Sequence, residues 1–96
     1  MATGMLVKFP GGTADFYDTV MTNLDWDNAP KPAGFVSHYA GVNADGLVIF
    51  DVWESQQDFE NFFHDRLAAA ITAAAGEPPQ VEPTFVQIHR EEHATG

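Results

Sequence analysis

Leu47-Val48-Ile49-Phe50-Asp51-Val52-Trp53, followed by Glu54-Ser55, is the stretch that decides the fold. It reads as a β-strand, but a strand with one wet face alternates polar and apolar residues, and this one does not. Val48, Phe50 and Val52 form one face; Leu47, Ile49, Asp51 and Trp53 form the other. Helices packed on one side of a sheet leave the second side bare. At about 25 cal/mol per Å², exposing Leu47, Ile49 and Trp53 forfeits several kcal/mol, a large share of a small domain's stability. The expected cover is a second copy of the same sheet, giving a homodimer. The alternatives are a monomer with a partly open sheet, or a sheet covered by the chain's own Asp25–Pro32 loop.

Outward from that strand the elements follow one another closely. Asn43-Ala44-Asp45-Gly46 carries Asp-Gly, a strong hairpin signal, and joins the strand to an earlier one over Phe35–Val42. Asp25–Pro32 holds two prolines and reads as a loop. Before it, Thr13 caps a helix over residues 14–24, with Phe16, Val20 and Leu24 at helical spacing and Asp15 and Asp18 near its positive end. Met5–Phe9 is a short β-prone run closed by Pro10-Gly11-Gly12. After the deciding stretch, Ser55 caps a second helix with Asp58 three places on. Its predicted inner face is Phe59, Phe63, Leu67, Ala70 and Ala74, and Gly76 with Pro78-Pro79 ends it. Thr84–Glu91 alternates as a fourth strand. The order β-α-β-β-α-β predicts one α+β domain over residues 1–96. It is ferredoxin-like: a four-stranded antiparallel sheet with two helices on one face.

Composition narrows the function. The 96 residues carry 14 acids against Lys8, Lys31, Arg66 and Arg90, for a formal charge of −10. Such a field repels phosphate backbones and anionic lipid, so neither nucleic acid nor membrane is an expected partner. There is no cysteine, which removes thiolate and disulfide chemistry and makes a reducing cytoplasm the expected location. Met1–Gly4 is short and carries no charged side chain, so no secretory leader is expected there. No phosphate loop, nucleotide fingerprint, nucleophile elbow or zinc motif is present, and no cofactor is expected.

The residues Asp51-Val52-Trp53-Glu54-Ser55, then Phe59, Phe62-Phe63 and Arg66-Leu67, resemble the dimeric α/β-barrel superfamily, and within it the antibiotic-biosynthesis-monooxygenase-like branch. The resemblance is densest over residues 34–67. It implies two sheets facing each other across a dimer, and a pocket in each protomer between sheet and helices or inside the barrel. It implies that Trp53 lines the substrate pocket. Ile49 stands where the branch's oxygenases place a polar amide, so that contact is missing here. The superfamily also includes polyketide cyclases, haem-degrading enzymes and members without known activity.

Every second strand residue points the same way. With Asp45-Gly46 as a two-residue turn, Ala40 faces Asp51 and His38 faces Trp53, which makes His38 and Asp51 diagonal neighbours about 7 Å apart at the backbone. A carboxylate–imidazole pair in an apolar pocket can take a proton from a phenol or an activated methylene. The same pair can equally be a structural hydrogen bond that satisfies two polar groups. His38 and Asp51 are therefore the candidate catalytic residues, with Trp53, Ile49, Phe50, Phe63 and His89 as the candidate substrate-binding set. His89, placed on the face of Phe85 and Gln87, would complete a two-histidine, one-carboxylate set with His38 and Asp51. Strand spacing sets it about 10 Å from the pair, and no metal is expected. Tyr17, Tyr39 and Ser37 are polar points in or near the pocket, with Tyr39 expected in core packing opposite His38. Trp26 either closes over a ligand or staples its loop. His64 reads as solvent-facing, His93 as part of a frayed tail, and Arg66 with Glu60 as a helix-surface charge set.

The function expected from these features is a cofactor-independent monooxygenase acting on an aromatic or polyketide-like small molecule. The alternatives are a polyketide-type cyclase in the same pocket, or a non-catalytic dimer that binds a small apolar or aromatic ligand.

Overall fold

The computed structural model describes residues 2–94. Strand β1 (Thr3–Pro10), helix α1 (Ala14–Leu24), strands β2 (Phe35–Asn43) and β3 (Gly46–Trp53), helices α2 (Gln56–Phe62) and α3 (Ala68–Ala75), and strand β4 (Thr84–Gln87) follow in order. The strands form one antiparallel sheet in the order β2-β3-β1-β4, the ferredoxin-like arrangement. Among the described residues no helix is long and apolar enough to cross a membrane.

Local chemistry sets the element ends. Thr13 Oγ1 accepts from Phe16 N at 3.0 Å and Ser55 Oγ from Asp58 N at 3.1 Å, so each hydroxyl satisfies a backbone donor that the first turn leaves free. Helix α1 ends at Asp25, in the left-handed region at φ 52°, where the Asp25 and Trp26 amides both reach back to Met21 O. Gly76 closes α3 at φ 82°.

Three sequence expectations are corrected. First, the hairpin turns on Ala44-Asp45 rather than Asp45-Gly46. Asn43 Oδ1 accepts from Asp45 N at 2.9 Å, an Asx turn that starts the reversal one residue early. Gly46 then opens β3 at φ 134°, where an added Cβ would run into Phe9 O and Gly11 N. The register moves by two, so the faces are unchanged but His38 sits directly opposite Asp51. Second, α2 and α3 are joined by a π-helical turn over Phe63–Leu67, and its extra residue rotates the inward face. Phe62 and Ile71 become buried core residues beside Phe59 and Ala70, while Phe63, Leu67 and Ala74 are partly buried. Third, β4 stops at Gln87, short of the expected Glu91.

The faces of β3 are assigned opposite to the expectation. The helices lie over Leu47, Ile49, Asp51 and Trp53. Trp53 is 1% exposed, with its ring 5.5–5.6 Å from those of Phe35, Phe59 and Phe62. Val48, Phe50 and Val52 face outward, in register with Lys8, Leu6 and Gly4 of β1 and with Gly41, Tyr39 and Ser37 of β2. The physical reason is enclosure: the indole and the buried carboxylate need the cover that two helices give. Tyr39 is on that outer face and 58% exposed, not packed in the core.

Candidate active site

Between sheet and helices lies a cavity of ≈ 100 Å³. Its walls are overwhelmingly apolar: Met5, Val7 and Ile49 from the sheet, Val20 and Met21 from α1, and Phe59 from α2 are among them. One wall is polar. There His38 Nδ1 and Asp51 Oδ1 are 2.6 Å apart, Trp53 Nε1 donates to Asp51 Oδ2 at 3.1 Å, and Tyr17 Oη lies 2.6 Å from His38 Nε2. The side-chain order is Trp53–Asp51–His38–Tyr17.

Donor and acceptor logic fixes the protons. An ionised carboxylate only accepts, so with Trp53 on one oxygen the other takes the His38 Nδ1 proton. That leaves Nε2 of the neutral imidazole as an acceptor for the Tyr17 hydroxyl. When His38 is charged, Nε2–H donates to Tyr17 instead, and the chain remains bonded. Tyr17 is held in its phenol form: its ionisation is pushed above the usual value of 10.0 by burial first, then by the negative charges of Asp51, Asp18 and Asp27. No buried side-chain nitrogen or oxygen among the described residues lacks a partner. The geometry is a continuous hydrogen-bonded chain from the cavity wall to a buried carboxylate. His38 and Tyr17 also border an open hollow on the outside, together with Trp26, Asp25 and Asp27, so this chain of side chains lies between interior and solvent.

The sequence-predicted residues divide clearly. The structure brings His38, Asp51, Trp53, Ile49 and Phe63 to the cavity. It does not bring Phe50, which is on the outer face of β3 opposite Leu6 and Tyr39. It does not bring His89 either. That residue lies past the end of β4 and is exposed, so the two-histidine, one-carboxylate set never converges. Among the described residues no group of three His, Asp or Glu side chains can hold a metal. His64 is exposed, and His93 is exposed beside Glu91.

Three participants were under-read in the sequence. Tyr17 stacks on His38, with ring centroids 5.7 Å apart and planes 10° apart. Helical spacing places it beside Phe16 and Val20, but only the packing of α1 on the sheet brings it to His38. Trp26 both staples its loop and lines the cavity: its ring meets Phe35 at 5.2 Å and Phe62 at 6.2 Å. Arg66 is no surface charge partner. It donates to Leu24 O at 3.0 Å and Pro30 O at 3.1 Å, holding both ends of the Trp26 loop against the π-helical turn.

No protein-family model matches the chain, and no curated protein matches it. Solved structures do. The NE2512 protein of unknown function from Nitrosomonas europaea superposes with TM-score 0.68 at 14% identity, over 99% of this chain and 96% of that one. SnoaB, a cofactor-independent oxygenase from Streptomyces nogalater, gives 0.60 at 18%, over 94% of both chains. A monooxygenase from the gene ActVA-Orf6 of Streptomyces coelicolor, solved with the ligand nanaomycin D, gives 0.60 at 21%, over 98% of this chain and 92% of that one. The chain therefore has the fold of the antibiotic-biosynthesis-monooxygenase-like structures that its Asp51–Ser55 segment resembles.

Proposed function

We propose that the protein is a cofactor-independent monooxygenase that oxidises an electron-rich hydroxylated aromatic in the cavity above β3. The observation that carries the reading is the relay: one polar wall, ending on a buried carboxylate, in an otherwise apolar chamber. The shared fold of SnoaB, a cofactor-independent oxygenase, supports it.

The chemistry needs no group the chain lacks. The relay removes the hydroxyl proton of a phenol, and Asp51 stabilises the resulting imidazolium. Dioxygen then bonds to the ring carbon opposite the hydroxyl, and the relay proton completes a hydroperoxide. Loss of water takes the hydrogen of that carbon together with the outer oxygen. A para-quinone remains, so one oxygen atom enters the product and the other leaves in water. The apolar walls exclude bulk water and hold the ring in place.

The outer sheet face supports a second copy as partner. Of the residues that the register places there, Lys8 is the one charge, and none of the 14 acids lies among them. Leu6, Tyr39 and Val86 are 36–58% exposed. A face without acids and with a single lysine, in a chain of charge −10, suits pairing with itself.

Oxygen uptake tests the function. Electron-rich phenols in chelator-containing buffer are expected to consume one dioxygen each with the wild type. His38→Ala should bring the rate to the buffer's own. Uptake that His38→Ala leaves untouched, or none with any phenol, overturns the reading. Turnover without oxygen uptake would point to the cyclase.

A further inference from the structure

Resting on that function, we infer that the cavity takes a single hydroxylated ring, and that the ring's hydroxyl docks on Tyr17 Oη rather than on His38. Size carries the first half. A dry engineered cavity of roughly 150 Å³ is enough for benzene. This one holds ≈ 100 Å³ at rest, somewhat less than that, so a single ring enters only as the walls yield and a fused pair asks for more again. Met5 and Met21 in the walls supply the remaining room, since an unbranched thioether re-settles at little cost.

Hydrogen-bond occupancy carries the second half. Asp51 already receives a donor on each oxygen, and both His38 nitrogens are engaged. Trp53 has given its one N–H to Asp51. A tyrosine hydroxyl has one donor and two acceptor positions. Tyr17 donates to His38 Nε2 and still has acceptor capacity, on a residue that lines both the cavity and the outer hollow. An incoming phenol therefore donates to Tyr17 Oη. As that proton arrives, Tyr17 passes its own to Nε2, and Tyr17 ends as it began. Tyr17 is a catalytic residue on this assignment, and His38 acts through it.

The test is anaerobic binding of phenol, toluene and 1-naphthol to the wild type and to Tyr17→Phe, followed by calorimetry. Burying a hydroxyl without its partner weakens binding by roughly ten-fold or more. Tyr17→Phe should therefore lose at least that factor for phenol and keep its affinity for toluene, which has the same shape. Phenol binding to Tyr17→Phe as tightly as to the wild type would mean that it docks on the uncovered His38 Nε2, and the assignment fails. So it does if 1-naphthol binds the wild type as well as phenol does. Should the variant lose toluene too, the wild type decides by carbon NMR: phenol, and not toluene, must shift the hydroxyl-bearing carbon of Tyr17. Phenol that binds as assigned but consumes no oxygen sinks the monooxygenase reading alone.

Discussion

Asp51→Asn separates a working relay from a merely buried polar cluster. In the wild type one oxygen of Asp51 takes the His38 proton at 2.6 Å and the other takes the Trp53 indole proton at 3.1 Å. An amide has one acceptor, so one of the two N–H groups then faces another N–H. Keeping Trp53 satisfied turns the amide nitrogen toward His38 Nδ1. The imidazole must shift its proton to Nε2, and Tyr17 changes from donor to acceptor. Two charge-assisted bonds, each about 1.5–3 kcal/mol, become neutral ones of about 0.5–1.5 kcal/mol. Burying an amide is easier than burying the 6%-exposed carboxylate, which offsets part of this loss. The net destabilisation is then about 1–2 kcal/mol, or a melting point lower by roughly 5–15 °C in a domain this size. Wrong-tautomer variants of comparable triads lose about 10⁴-fold in kcat. Nitrogen NMR of the imidazole reads the tautomer directly, and a thermal melt reads the stability. An unchanged melting point with the proton still on Nδ1 would refute the reasoning.

Other expectations follow from the same geometry. Above pH 10 the unfolded chain releases the Tyr17 proton while the folded chain still holds it. Stability that is complete below pH 10 is therefore lost as pH rises through the folded value, and the spectroscopic titration step that Tyr17→Phe abolishes must be a late one. Trp53→Phe leaves Asp51 Oδ2 without its donor, and a denaturant melt should show a loss of about 2–3 kcal/mol. At Gly34, φ is +82° and an added Cβ would lie 2.2 Å from Asp58 Oδ2. Gly34→Ala should therefore destabilise by more than the ~1–2 kcal/mol of left-handed strain, and adding Asp58→Ala should recover only the part due to the carboxyl group, since the Cβ of residue 58 stays 2.6 Å from the added one. Sedimentation at micromolar concentration should give twice the 10.5 kDa chain mass, and Leu6→Glu with Tyr39→Glu, one charge on each of two strands, should give the single-chain mass.

The order of elements was legible because each rests on local chemistry: Thr13 and Ser55 as caps, Gly76 as a terminator, the unbroken β-prone run of β3. The His38–Asp51 pair survived a turn misplaced by one residue, since that moves the register by two and an even shift preserves the face. Which face the helices cover was not legible. Both sides of β3 are apolar, and the choice depends on where Phe59 and Phe62 land. The π-helical turn at Phe63–Leu67 was invisible for a related reason, as its rotation, which brings Ile71 inward beyond it, is set by tertiary packing alone. Tyr17 was seen as a polar point but not as a partner of His38, because the two are 21 residues apart and meet only when α1 docks. Past Gln87 the alternation continues through His89 without a strand to support it. β1 gives β4 its neighbour only as far as Thr3, with one further bond from Ile88 N to Ala2 O.

The most direct check of an enclosed relay site is a crystal structure of the protein soaked with phenol. The account predicts the ring in the chamber between Ile49 and Phe59, with its oxygen at hydrogen-bond distance from Tyr17 Oη and the Asp51–His38 contact intact. Phenol found on the outer sheet face, with the chamber empty, would contradict it.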